Sequence, residues 1–171
     1  MNKIIKATEE DCKLLCKLAE TTFIESHGSS ASEADIQAYI KSKYNEDVFR
    51  DELADGRNIY HIIYYKGKAA GFSKIILNAT HSNITINNVT KLERLYILKD
   101  YYDQKLGLEL FEFNKNLSLA NKQVGIWLFV WKENERAIKF YQKANFKIIG
   151  SHDFAISETH SNPNHQMLLL Y

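Results

Sequence analysis

Two stretches of the chain hold residues whose types and spacing could do chemistry. The first reads IWLFVWKENERAIKFYQKANF from Ile126 to Phe146. An apolar, strand-like segment ends at Trp131, and Asn134 follows where a helix N-cap belongs. Ala137 and Tyr141 come three and seven residues later, so all three share roughly one helix face. A small side chain at 137 leaves room for an extended chain to pass, and Tyr141 offers a hydroxyl at the end of that path. The second stretch reads LERLYILKDYYDQKLGLELF from Leu92 to Phe111. Here a buried strand runs through a turn bearing Gly107 into the N-terminus of a long helix. Backbone N–H groups without intrahelical partners and the positive end of the helix dipole would meet there, an arrangement suited to a diphosphate. Many helices begin after a loop with one glycine, so this turn gains its meaning from the first stretch.

The elements that must position these residues can be read along the chain. Lys3 to Lys6 is a short strand. Thr8, with Asp11 three residues on, opens a helix carrying Cys12, Leu15, Cys16, Ala19 and Phe23 at helical spacing. Ser32 caps a second helix with Ile36, Tyr39 and Ile40 inward, and a third follows around Asp47 to Ala54. Ile59 to Tyr65 and Ala69 to Leu77 form a hairpin about Lys66-Gly67. Asn78 to Thr90 is a polar loop with room for a short strand at Ile84 to Ile86. Leu92 to Leu98 is a strand, and Asp103 to Asn121 a helix with Leu106, Leu110, Phe113 and Leu117 on one face. Val124 to Trp131 is apolar throughout, as a strand buried on both faces should be. Asn134 to Ala144 is a helix, and Phe146 to Phe154 and Gln166 to Tyr171 are the last strands. This order predicts an α/β fold: a mixed, mostly antiparallel sheet with one parallel, splayed pair and helices on both faces. No linker or repeat divides residues 1–171, so a single domain is expected.

The two stretches resemble the core motifs of the GNAT superfamily of N-acetyltransferases, and within it the PaiA-like bacterial spermine/spermidine acetyltransferases. Weaker similarity covers TTFIESHG near the start and HQMLLLY at the end. The resemblance implies the GNAT fold and acetyl-CoA as acyl donor. It places the pantetheine arm along the backbone of Leu95, Tyr96 and Ile97, as an added strand would lie. It places the diphosphate on Tyr102, Asp103, Gln104, Lys105, Leu106, Gly107 and Leu108. Asn134 would hydrogen-bond the arm, Ala137 would leave it room, and Tyr141 would protonate the departing thiolate. The chain departs from the family in the turn, whose usual form is Q/R-x-x-G-x-G/A. The ungapped register puts Tyr102 first, Lys105 at the first glycine and Gly107 at the last. A register starting at Gln104 keeps Gly107 as first glycine but loses the strand alignment. Asn145 stands where glycine is usual, and asparagine tolerates that left-handed backbone. Glu93 is the candidate base for the amine, directly or through water, since strand alternation sets it with Leu95 and Ile97. Its bland alternative is an ion pair with a nearby Lys or Arg.

Composition narrows the field. The net charge of +1 gives no case for nucleic acid or an anionic membrane as partner. The N-terminus is not a signal peptide, and no apolar run approaches a membrane span, so a cytoplasmic protein is expected. Cys12 and Cys16, four apart on one helix, read as apolar packing rather than a disulfide. The histidines His27, His61, His81, His152, His160 and His165 lack the spacing of metal ligands, and no metal is expected. His27 could contact an acceptor but reads more simply as a solvated loop residue. Tyr39, Tyr44, Tyr60, Tyr64 and Tyr65 could line an amine pocket or be sheet residues with hydroxyls at the surface. Lys139 and Lys143 could meet the 3′-phosphate of the cofactor or form a solvated helix face. The acidic first half hints at cationic substrates, a polyamine or another small amine, although ordinary helix surfaces explain it too. A protein or peptide N-acetyltransferase and a non-catalytic CoA-binding sensor are the alternatives. The sequence does not fix the oligomeric state and leaves a homodimer open.

Overall fold

The computed structural model describes residues 2–171. Its strands are β1 (Lys3–Lys6), β2 (Asn58–Tyr65), β3 (Lys68–Ile76), β4 (Val89–Ile97), β5 (Gly125–Trp131), β6 (Lys147–Ala155) and β7 (Ser161–Leu170). Its helices are α1 (Cys12–His27), α2 (Glu33–Lys43), α3 (Glu46–Ala54), α4 (Leu106–Ala120) and α5 (Glu135–Lys143), with short 3₁₀ turns at Glu9–Asp11 and Lys99–Gln104. The sheet has seven strands in the order β1-β2-β3-β4-β5-β7-β6. β4 and β5 are parallel, whereas β1–β2, β5–β7 and β6–β7 are antiparallel. The predicted mixed α/β class is the observed one. Among the described residues no helix is long and apolar enough to cross a membrane.

The chain forms two compact units: residues up to Ile75 with Arg94–Asn114, and Ile76–Glu93 with Lys115–Tyr171. In the first unit the capping signals act as the sequence implied. The Thr8 N–H donates to Asp11 at 2.8 Å, and Ser32 Oγ accepts from the Asp35 N–H at 3.2 Å. α1 buries Cys12, Leu15, Ala19 and Phe23 as expected, with Leu18 and Thr22 besides, but leaves Cys16 of the expected stripe half-buried. Lys66 and Gly67 both take positive φ, the backbone of a tight hairpin turn. Ile63, Ala70, Ile97, Leu106 and Leu110 form one core cluster. β3 and β4 approach closely at Gly71, where a Cβ would stand 2.3 Å from the Tyr96 carbonyl oxygen. In the second unit Ile84, Val89 and Trp127 form a cluster, with Phe129, Ile149 and Leu168 packed on it.

Four expectations change. β7 begins at Ser161, five residues before the predicted start at Gln166. No strand forms at Ile84 to Ile86; instead β4 begins at Val89, three residues before the predicted start. The helix expected from Asp103 begins at Leu106, because Lys105 takes a left-handed backbone (φ 58°) that an α-helix cannot include. The buried face of α4 runs through Leu106, Leu110, Phe111, Asn114 and Ser118, so its inner end is polar. Asn114 donates to Ser73 Oγ at 2.9 Å, and Ser118 and Thr90 share a hydrogen bond of 2.6 Å.

Candidate active site

In the first unit, the end of β4 and the turn after it are brought together. Ile97 packs on Leu106 and Leu110, with Leu95, Tyr101 and Tyr102 against the same cluster. The turn is a 3₁₀ helix over Lys99–Gln104, then Lys105 in the left-handed region, then α4. The first α-helical bond of α4 runs from the Glu109 N–H to the Lys105 carbonyl at 3.1 Å. The N–H groups of Leu106, Gly107 and Leu108 precede it and lack an α-helical acceptor. Asp103, Gln104, Lys105 and Leu108 are exposed, Tyr102 and Gly107 half-buried. A Cβ at Gly107 would meet only Ile97, at 3.7 Å, so packing does not demand glycine there.

Two side chains that sequence reasoning missed hold this turn. Glu25 of α1 accepts from the Lys99 N–H at 2.9 Å, and the Tyr65 hydroxyl donates to Gln104 Oε1 at 2.9 Å. The partners are 74 and 39 residues apart, beyond any local signal.

Tyr96 belongs to an aromatic group at the other face of β4. His27 stacks on Phe23 at 4.9 Å and meets Tyr96 edge-on at 6.3 Å. It is therefore packed rather than a solvated loop residue. Burial lowers its pKa from 6.5 to about 4, so it is neutral at physiological pH. Tyr39, Tyr44 and Tyr60 are buried, not surface, tyrosines. Beside them lies a charge network. Lys74 is 2.8 Å and Arg94 3.5 Å from Glu52, and the Tyr60 hydroxyl donates to the same carboxylate. Burial raises the pKa of Glu52, but Arg94, Lys74 and Tyr60 outweigh it and the net shift is downward. The Arg94 guanidinium also lies over Tyr44 and Phe49, at 5.3 and 5.6 Å.

In the second unit, Asn134 N-caps α5: its Oδ1 accepts from the Ala137 N–H at 3.1 Å. That occupies the carbonyl end of the side chain and leaves its NH₂ end as donor. Ala137 is half-buried and Tyr141 buried, with Tyr141 edge-on to Phe146 at 5.3 Å. Asn145 takes φ 69°, and the Phe146 N–H returns to the Tyr141 carbonyl at 3.0 Å, a left-handed helix stop. The Lys139 ammonium pairs with Glu135 at 3.2 Å on an exposed face, as its plainer reading held.

Glu93 lies 3.7 Å from Lys91, whose ammonium sits over Trp127 and Phe129 at 5.4 and 5.7 Å. Thr90 and Ile97 both face α4 although they differ in parity, so the pleat changes phase along β4. The β4–β5 ladder pairs Val89–Lys91 with Gly125–Trp127, while both strands run on beyond it. Among the described residues no group of three or more His, Cys, Asp or Glu could hold a metal ion.

Comparison with known proteins adds to this geometry. The family model for the acetyltransferase (GNAT) family matches residues 17–146. An uncharacterised N-acetyltransferase of Lactobacillus delbrueckii subsp. lactis is 26% identical over 156 residues, spanning 91% of this chain and 90% of its own length. A spermidine N(1)-acetyltransferase of Thermoplasma acidophilum is 23% identical over 146 residues, spanning 85% of this chain and 88% of its own. The crystal structure of the PaiA N-acetyltransferase of Thermoplasma acidophilum in complex with coenzyme A has the same fold, with a TM-score of 0.80 at 20% identity over 100% of this chain and 99% of that one. A match over most of the chain, on the same two stretches that position Gly107 and Tyr141, makes the protein a member of the acetyltransferase (GNAT) family.

Proposed function

We propose that the protein transfers the acetyl group of acetyl-CoA to a primary amine within one ternary complex. The observation that carries this reading is Asn134, Ala137 and Tyr141 on one face of a capped helix that follows β5. Bound acetyl-CoA would supply an activated thioester. The residues that would hold it fit its parts. The backbone of Leu95, Tyr96 and Ile97 continues past the β4–β5 ladder and suits an extended pantetheine arm. The turn from Tyr102 to Leu108, with the N–H groups of Leu106, Gly107 and Leu108 at the start of α4, suits the diphosphate. The left-handed backbone of Lys105 supports the register that sets it at the first glycine of the family turn, since glycine is the residue such a position favours. The free NH₂ end of Asn134 would donate to the arm, and Ala137 would leave it space.

Tyr141 would give its proton to the thiolate, and Glu93, directly or through water, would take one from the amine. The Ile97 N–H would polarise the thioester carbonyl. Relatives named for spermidine and spermine acetylation support a small amine, polyamines among them, as acceptor. The test is Tyr141→Phe. Turnover, read as thiol release, should fall roughly 10²–10⁴-fold while CoA binding by calorimetry barely changes. Unchanged turnover across pH would remove Tyr141 from the mechanism. A protein that binds CoA yet releases no thiol with any amine would be a sensor.

A further inference from the structure

The second unit buries two side-chain amides that its own residues leave incomplete. Asn164 and Gln166 lie two apart on β7 and so project from one face of the sheet. They are 8% and 0% exposed. Gln166 Oε1 accepts from Asn83 Nδ2 at 2.9 Å, but Gln166 Nε2 and Asn164 Oδ1 have no partner. Turning the Gln166 amide over would set its NH₂ against the Asn83 NH₂, donor against donor, so the Asn83 bond fixes Nε2 as the end without a partner. Elsewhere, His61 Nδ1 is beside Phe113 of α4 and Asn114 Oδ1 is on α4 itself. The β7 pair is different: the two residues share one face of the sheet, and one atom can donate where the other accepts.

The surroundings form a roofed site. Phe129 stands opposite Gln166 and Trp131 opposite Asn164 on β5. On β6, Gly150 stands opposite Gln166 and His152 opposite Asn164. The Phe129 and His152 rings stack at 4.6 Å, and so reach across β7 above the two amides. His152 is exposed, so one ring rotation opens the roof. A Cβ at Gly150 would come within 2.9 Å of Asn83 Nδ2 and 3.2 Å of Gln166 Oε1, so glycine leaves the amides their place. Lys91, 5.7 Å from the Phe129 ring, links this face to Glu93.

We propose that Asn164 and Gln166, beneath Phe129 and His152, form the acceptor subsite, and that the acceptor is an amine bearing a carboxamide. The ligand carbonyl accepts from Gln166 Nε2, and its N–H donates to Asn164 Oδ1. This rests on the acetyltransferase reading and names the class of amine. A protonated polyamine brings donors only and leaves the Gln166 N–H unpaired. A peptide-like or aminoacyl amide completes both groups.

The experiment measures thiol release from acetyl-CoA by the whole protein with β-alaninamide, glycylglycinamide, butylamine and spermidine, each rate referred to the neutral amine. The amides should exceed butylamine in kcat/KM by at least about 100-fold, as for a site built around a substrate hydrogen bond. Gln166→Glu keeps an oxygen toward Asn83 and removes the donor; it should cut that ratio at least about tenfold. His152→Ala, at an exposed position, should change KM for the amides more than for butylamine, and it decides alone with the wild-type ratio if Gln166→Glu does not fold. Equal use of amide and alkylamine, or spermidine preferred, overturns the subsite, leaves water as its occupant and leaves acetyl transfer standing. No thiol release with any amine overturns the acetyl-transfer reading and the subsite with it.

Discussion

The two compact units offer two contrasting examples of buried polarity. In the first, Glu52 gathers Lys74, Arg94 and the Tyr60 hydroxyl, and the cations lie over aromatic rings. In the second, Asn164 and Gln166 join no charge network: Gln166 Oε1 meets Asn83, while Asn164 Oδ1 and Gln166 Nε2 stay without partners. Paired burial of charge fixes a structure, because removing either partner strands the other. Unpaired burial of amides keeps a cost that a ligand can relieve. The contrast separates buried polar groups that hold a unit together from buried polar groups whose partners are not in the chain.

The largest effect should come from Glu52→Ala, which leaves Lys74, with a side chain 5% exposed, without its carboxylate. Denaturant unfolding should show a loss of about 3–5 kcal/mol. A loss under about 1 kcal/mol would mean that the network is not what holds this unit.

Next is a pH effect at His61, buried and beside Phe113. Burial first, then Lys6, lowers its pKa from 6.5 to about 4. The folded state therefore binds fewer protons than the unfolded one between these values. The stability it contributes is complete above pH 6.5 and is lost as pH falls toward 4, on the order of 3 kcal/mol at ~1.4 kcal/mol per pH unit. His27 carries a shift of the same size, so His61→Leu should remove about half of the slope across that window; an unchanged slope would assign the acid sensitivity elsewhere.

The smallest effect should be Asn164→Leu. Deleting a side chain whose buried Oδ1 has no partner should leave stability within about 1 kcal/mol of the parent or raise it. A loss above about 2 kcal/mol would make Asn164 a structural residue and erase the contrast between the units.

The stretch around Asn134 was legible because its logic is local. The cap bond spans three residues, from Asn134 to Ala137, and the left-handed stop at Asn145 lies next to the helix it ends. The stretch around Gly107 was only half legible. Its departure from the family pattern was plain, yet the reason it still forms a turn was not, because Glu25 and Tyr65 reach it from α1 and β2. His27 was misread for the same cause: a histidine at a helix end next to glycine and serines looks solvated until Phe23 and Tyr96 close on it.

Sequence by itself determined the order of elements, the caps of α2 and α5, the hairpin at Lys66-Gly67 and the face shared by Asn134, Ala137 and Tyr141. All of these follow from backbone preferences and side-chain periods that act within a few residues. Tertiary structure alone decided where β4 changes its pleat, which charges share Glu52, and that Asn164 and Gln166 end up buried side by side. Those outcomes depend on groups distant along the chain meeting where water is excluded, and no local pattern encodes which atoms will find a partner there.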